Sequence, residues 1–199
     1  MSLFLVIALI GLFLIFNKKE ETLKGALPFS SFEVKELGGI TLIENDISNL
    51  SFILPQDWDL SESSFSSLTM KSKDFVPLDN YLSGSFVPQK GCRIDLTVRL
   101  EEEGTKEDIF YTENKKLIDN PELLEDLKNK DNDYQIIEVS GVKALYHGIK
   151  NGDLGVTSLI RIPINNIVYM IESYLFGENK DACTIDFNKL LETVSITNK

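Results

Sequence analysis

Residues 141–176, GVKALYHGIKNGDLGVTSLIRIPINNIVYMIESYLF, decide the fold. Asn151-Gly152 parts two apolar-rich runs, and an Asn-Gly pair tolerates the positive φ that a type I′ hairpin turn imposes on both central positions. A second turn is predicted at residues 163–166, which makes three antiparallel strands. A two-residue first turn sets Lys150 opposite Asp153, Ile149 opposite Leu154, His147 opposite Val156, Tyr146 opposite Thr157 and Ala144 opposite Leu159. Leu145, Ile149, Leu154, Val156 and Ile160 then share one face, and Val142, Ala144, Tyr146 and Leu159 the other. Apolar side chains on both faces imply cover on both.

The cover is predicted to be helical. Thr105-Lys-Glu-Asp108 resembles a capping box and starts a helix using Ile109, Phe110, Leu117 and Ile118; Asn120-Pro121 restarts it, with Leu123, Leu124 and Leu127 on one face. Near the C-terminus, Cys183, Phe187, Leu190, Leu191 and Val194 have the spacing of a core-facing stripe. Upstream, residues 32–37 and 40–43 form a small hairpin across Gly38-Gly39, and residues 50–54 and 68–71 read as short strands. Residues 92–101 alternate, with Ile94, Leu96 and Val98 facing inward and Arg93, Asp95, Thr97 and Arg99 facing solvent. The fold class is therefore α+β, an antiparallel sheet covered by helices on both faces in an α/β/α sandwich.

Residues 3–16 contain no polar side chain. They are predicted to be an N-terminal transmembrane helix, extended by the snorkelling stems of Lys18 and Lys19 and left uncleaved, because no small-x-small site follows Phe16. The chain divides into a membrane anchor or uncleaved signal at 1–17, a tether at 18–31 and a soluble α+β domain at 32–199. This places a single-pass protein in the cell membrane, in contact with the lipid bilayer through residues 3–16 and with its soluble domain on the extracytoplasmic side.

A composition of 43% hydrophobic and 26% charged residues argues against wholesale disorder. The net charge of −11 repels phosphate backbones, which excludes DNA and RNA as partners. Cys92 and Cys183 lie outside any CxxC pattern; they are either two buried thiols or one disulfide. The single histidine, His147, falls mid-strand, and no GxSxG elbow is present to pair with it. Gly38-Gly39 and Gly152-x-x-Gly155 match neither phosphate-cradling pattern, and Glu101-Glu102-Glu103 reads as a solvated turn. No catalytic, cofactor-binding or metal-binding residue is assigned. Trp58 is either a plug at the sheet's edge or, with Tyr81 from the loop at 75–90, a stacking platform for a ligand.

Ser51-Phe-Ile-Leu-Pro-Gln-Asp-Trp58 resembles the entry strand of PsbP-like domains, in which an apolar strand runs into Pro-x-x-Trp. The end of the chain is similar too: strands at 154–162 and 167–171, a loop, and a helix ending in Leu190-Leu-Glu-Thr-Val194. The likeness covers residues 49–197. It implies an α/β/α sandwich around an antiparallel sheet, in an exported assembly or binding module without catalysis. The apolar segment at 3–16 departs from the photosynthetic members, so a photosystem role is not carried over. The function expected is a membrane-anchored, non-catalytic module that binds a protein partner at the membrane. The alternative is a small-ligand receptor or hydrolase with a pocket near Trp58 and the 75–90 loop.

Overall fold

The computed structural model describes residues 25–63, 66–78, 88–100, 108–151 and 155–197, without the side chains of residues 108–110. In chain order the elements are β1 (Glu33–Leu37), β2 (Ile40–Asn45), β3 (Leu50–Leu54), β4 (Trp58–Ser61), β5 (Leu68–Ser72), β6 (Val76–Pro77), β7 (Pro88–Lys90) and β8 (Arg93–Leu100). Helix α1 (Asp108–Asp119) and a 3-10 turn at Pro121–Leu124 come next. The chain then runs through β9 (Asn132–Val139), β10 (Val142–Lys150), β11 (Gly155–Ile164), β12 (Ile167–Phe176), α2 (Lys180–Thr193) and β13 (Ser195–Ile196).

Seven strands form an antiparallel sheet in the order β4-β5-β8-β12-β11-β10-β9, and a second sheet runs β1-β2-β3-β13. Residues 141–176 supply β10, β11 and β12 as their pattern predicts, but the first turn is longer than two residues. Lys150 pairs with Val156, and Asn151 N–H donates to the Gly155 carbonyl at 2.8 Å. This moves the register by three: His147 faces Leu159 and Leu145 faces Arg161. An odd shift exchanges the faces of one strand relative to the other. Leu159 and Arg161 therefore share a face with Leu145, while Ile160 and Ile162 join Ala144. The predicted turn at 163–166 narrows to Asn165-Asn166, both at positive φ (49° and 59°), between the paired Ile164 and Ile167. Pro163 sits in β11, beyond the last β10 pair, where its missing N–H costs no bond to that strand.

The main core lies on one face of the large sheet. Ile94, Leu96 and Val98 of β8, Met70 of β5, Ile160 and Ile162 of β11 and Ile171 of β12 pack beneath Ile43 and Phe52 of the small sheet and Phe187 and Leu190 of α2. Each such side chain taken from water contributes about 1.5–3 kcal/mol. On the opposite face a smaller cluster joins Ile118 of α1 to Leu124 and Leu145. The disulfide Cys92–Cys183, with Cα atoms 5.4 Å apart, ties the start of β8 to the first turn of α2. The segment predicted as a tether enters the body by Gly25: Leu100 N–H donates to the Gly25 carbonyl, Leu27 N–H donates to that of Val98, and Leu27 is buried.

Two expectations are corrected. The body is not an α/β/α sandwich with helices covering both faces: the described residues hold two α-helices against thirteen strands. A second sheet shares the cover of the main core with α2, because β1 to β3 present their own apolar face and bury it there. The transmembrane helix, the single-pass topology, the extracytoplasmic placement and the bilayer contact are withdrawn as well. Among the described residues no helix is long and apolar enough to cross a membrane. Residues 3–16 lie outside those described, and as a helix fourteen residues reach ~21 Å against a hydrocarbon core of ~30 Å.

Candidate functional site

The chain has three arginines, Arg93, Arg99 and Arg161, and strand alternation puts all three on the face of the large sheet opposite the main core. The registers align Thr69, Asp95, Glu172, Leu159, His147 and Tyr134 in one row across six strands of that face. Lys71, Arg93 and Tyr174 flank it on one side, and Thr97, Met170, Arg161 and Leu145 on the other. Sequence alternation assigned this side of β8 to solvent, yet Arg93 is 4% exposed and Asp95 7%.

What makes burial tolerable is saturation of the charges. Arg93 Nε and Nη2 donate to both Asp95 oxygens at 2.8–3.2 Å, and Thr69 Oγ1 donates to Asp95 Oδ1 at 2.6 Å. The Arg93 guanidinium also lies over the Tyr174 ring, 5.5 Å from its centroid. Glu172, facing Asp95 across the strands, has its carboxyl pushed up by burial; a hydrogen bond from Tyr174 opposes this and the Asp95 charge reinforces it. The Tyr174 phenol is pushed well up, first by burial and then by Glu172. Arg161 has its cation disfavoured by burial, with Tyr134 and Glu172 offsetting part of the cost. Asp95 is held by three donor atoms, so the pair acts as a charged strut inside the sheet rather than as an open acid or base.

His147 ends up in this row, buried. Its Nε2 lies 2.9 Å from Asn132 Oδ1, an atom that can only accept, so Nε2 carries the proton. The ring stacks on Tyr134 with centroids 4.1 Å apart, and Nδ1 has no hydrogen-bond partner among the described residues. Burial holds its pKa below the ordinary value, and nearby Arg161 lowers it further.

The open counterpart is the outer face of the β1–β2 hairpin. Gly38 and Gly39, at φ 60° and 90°, make a two-residue turn closed by Leu37 and Ile40. Leu37 is 55% exposed and Ile40 48%, and half-buried Leu42 and Ile53 continue the apolar patch on the same face. At its border Lys35 Nζ pairs with Glu44 and, at 3.1 Å, with Glu33. These two partners, Glu44 foremost, raise the Lys35 pKa. An apolar centre with a charged rim is the anatomy of a protein-recognition surface.

The residues singled out in the sequence are scattered. Cys92 and Cys183 are joined at the sheet–helix junction. Trp58 opens β4 with 7% of its surface exposed, inside the main core, so it offers no open ring face. Tyr81 and most of the 75–90 loop lie outside the described residues. An open groove of about 500 Å³ beside the β10–β11 hairpin is lined by Lys150, Val156, Leu175, Lys180 and Thr184, and by none of the residues expected to form a site. Arg93, Asp95, Arg161, Glu172 and Tyr174 were not anticipated. A signal for the first two was present: Arg-x-Asp on one strand face, in a chain that otherwise uses lysine, since arginine suits buried bidentate pairs.

No protein-family model matches the chain, and no curated protein does. Among solved structures it is similar to the solution structure of cyanobacterial PsbP (CyanoP) from Synechocystis sp. PCC 6803. The identity is 10% and the TM-score 0.42, over 81% of this chain and 95% of that one. That structure is of a PsbP protein, and PsbP-like domains are the family whose entry strand residues 51–58 resemble.

Proposed function

We propose that this protein is a non-catalytic binding or assembly module whose partner is another protein, received on the outer face of the β1–β2 hairpin. The observation that carries this reading is the exposure of Leu37 and Ile40, paired at the hairpin tip and bordered by the Glu33-Lys35-Glu44 cluster. Each is about half exposed, so removing what remains of both side chains from water on binding contributes about 1.5–3 kcal/mol in all. The paired Lys35 adds register and orientation more than affinity. The saturated Arg93–Asp95 strut fits the same reading, because it braces the large sheet beneath the main core that carries the hairpin's sheet.

A photo-crosslinking side chain placed at Ile40 in living cells tests the proposal, with one at the exposed Lys130 as control. The Ile40 position is expected to give a discrete protein adduct that disappears with Leu37→Asp. Equal adducts from both positions, or an adduct indifferent to Leu37→Asp, would exclude the hairpin as the binding face.

A further inference from the structure

We propose that the outer edge of β1 pairs with β1 of a second copy of this chain, so that two four-stranded sheets join across a two-fold axis into one eight-stranded sheet. The proposal rests on reading the hairpin as a protein-binding element and adds a second surface of it, the strand edge beside the Leu37–Ile40 face.

β1 ends the order of the small sheet, and among the described residues no strand pairs with its outer edge. The two-residue turn makes Leu37–Ile40 a hydrogen-bonded pair. Antiparallel alternation then makes Lys35–Leu42 and Glu33–Glu44 the other bonded pairs. Val34 and Glu36 consequently direct their N–H and C=O groups away from β2, towards the open edge. A two-fold antiparallel partner must set outward residues opposite outward residues, which leaves three registers.

Electrostatics chooses among them. Centring the axis on Lys35 puts two lysines face to face, and centring it on Glu36 does the same with two glutamates; like charges directly opposite destabilise a sheet. Centring it on Val34 places Glu33 opposite Lys35 of the second copy, twice over by symmetry. It also sets Val34 against its own counterpart with a pair of backbone hydrogen bonds. Val34 is 46% exposed and completes a row, Phe52–Ile43–Val34, on the core-side face of the small sheet. The second copy extends that row as Val34–Ile43–Phe52, giving six apolar side chains in line. Each Lys35 then lies between its own Glu44 and the second copy's Glu33. The short edge is thus self-complementary in backbone, charge and apolar side chains, the requirement of an isologous interface.

Sedimentation velocity of the full chain over about a hundredfold range of concentration, with variants of the edge, tests this. Val34→Pro removes an outward N–H and the valine side chain but none of the N–H groups donated to β2, so the β1–β2 ladder survives; near-ultraviolet circular dichroism checks that the fold is unchanged. Wild type is expected to self-associate, and both Val34→Pro and Lys35→Glu to raise the dissociation constant by at least about tenfold. The exchange Glu33→Lys with Lys35→Glu restores the complementary pairs and is expected to restore association. A wild type that stays monomeric across the range overturns the proposal, as does association that neither single variant weakens. If a monomeric wild type still yields the Ile40 adduct with a different protein, the second-copy inference fails while the binding reading stands; if neither association nor adduct is seen, both fail.

Discussion

Strand β8 and the β1–β2 hairpin carry the same kind of pattern, polar and apolar residues in alternation, and end in opposite states. On the polar side of β8, Arg93 and Asp95 are buried and neutralise one another, while apolar Leu37 and Ile40 of the hairpin face water. The difference is position. β8 has β5 on one side and β12 on the other, and its first four residues are buried on both faces; β1 is the last strand of a small sheet. Alternation reports that the two faces of a strand differ, but which face meets solvent depends on what the rest of the chain lays over it.

The comparison breaks most visibly at the strut. Asp95→Ala takes the bidentate carboxylate away from buried Arg93 and is expected to destabilise the protein by about 3–5 kcal/mol, read as a lower urea midpoint. Replacing the pair together with Met and Leu should cost much less. A loss below ~1 kcal/mol for Asp95→Ala would mean that water reaches this face and that the two regions do not differ in the way described.

Loss of the disulfide comes next. Cys92 and Cys183 are 91 residues apart in sequence, so Cys92→Ala with Cys183→Ala frees a long loop in the unfolded chain. The expected cost is about 2–5 kcal/mol, with the same drop in wild type under reductant. Insensitivity of the unfolding midpoint to reductant would contradict the linkage.

A smaller effect is pH dependence, and it should arise on the buried face. The folded-state pKa of His147 lies below its ordinary 6.5, so the stability it confers is present above 6.5 and is lost as pH falls through the folded value. Glu172 has the opposite sign: its pKa lies above the ordinary 4.5, so its contribution is present below 4.5 and is lost as pH rises through the folded value. His147 is the chain's one histidine, so His147→Gln should flatten the acid side of the near-neutral profile of urea midpoints. A profile identical to wild type would place the titration elsewhere.

The smallest expected effect on stability is at the hairpin. Leu37→Asp should shift stability by less than about 0.5 kcal/mol, measured by urea unfolding, while removing the Ile40 crosslink. A loss of several kcal/mol would show that Leu37 supports the fold and that the open face is structural.

Much of the fold was legible. The Gly38-Gly39 hairpin, the strand before Pro55, the three strands of residues 141–176 and the stripe of α2 all follow from local pattern, because turn chemistry and apolar period are properties of neighbours in sequence. The register of β10 with β11 was not. It depends on three residues of turn length, and an odd error carries Arg161 to the wrong face, which hides the row that joins it to Leu145 and His147. The candidate sites were the least legible part. Trp58 and His147 drew attention as rare residues and are both buried, whereas Leu37 and Ile40 looked like ordinary hairpin residues.

Taken alone, the sequence determined the β1–β2 hairpin, the three strands of residues 141–176 and the C-terminal helix, an acidic character, and the alternation that gives a strand two unlike faces. Only the tertiary structure decided that Arg93 and Asp95 of β8 would be interior, that Cys92 would meet Cys183, and that a second sheet would share the cover of the core with α2. The physical reason is that burial and pairing join groups tens of residues apart. Their energies depend on which surfaces remain in water once the chain has folded, and no local pattern records that.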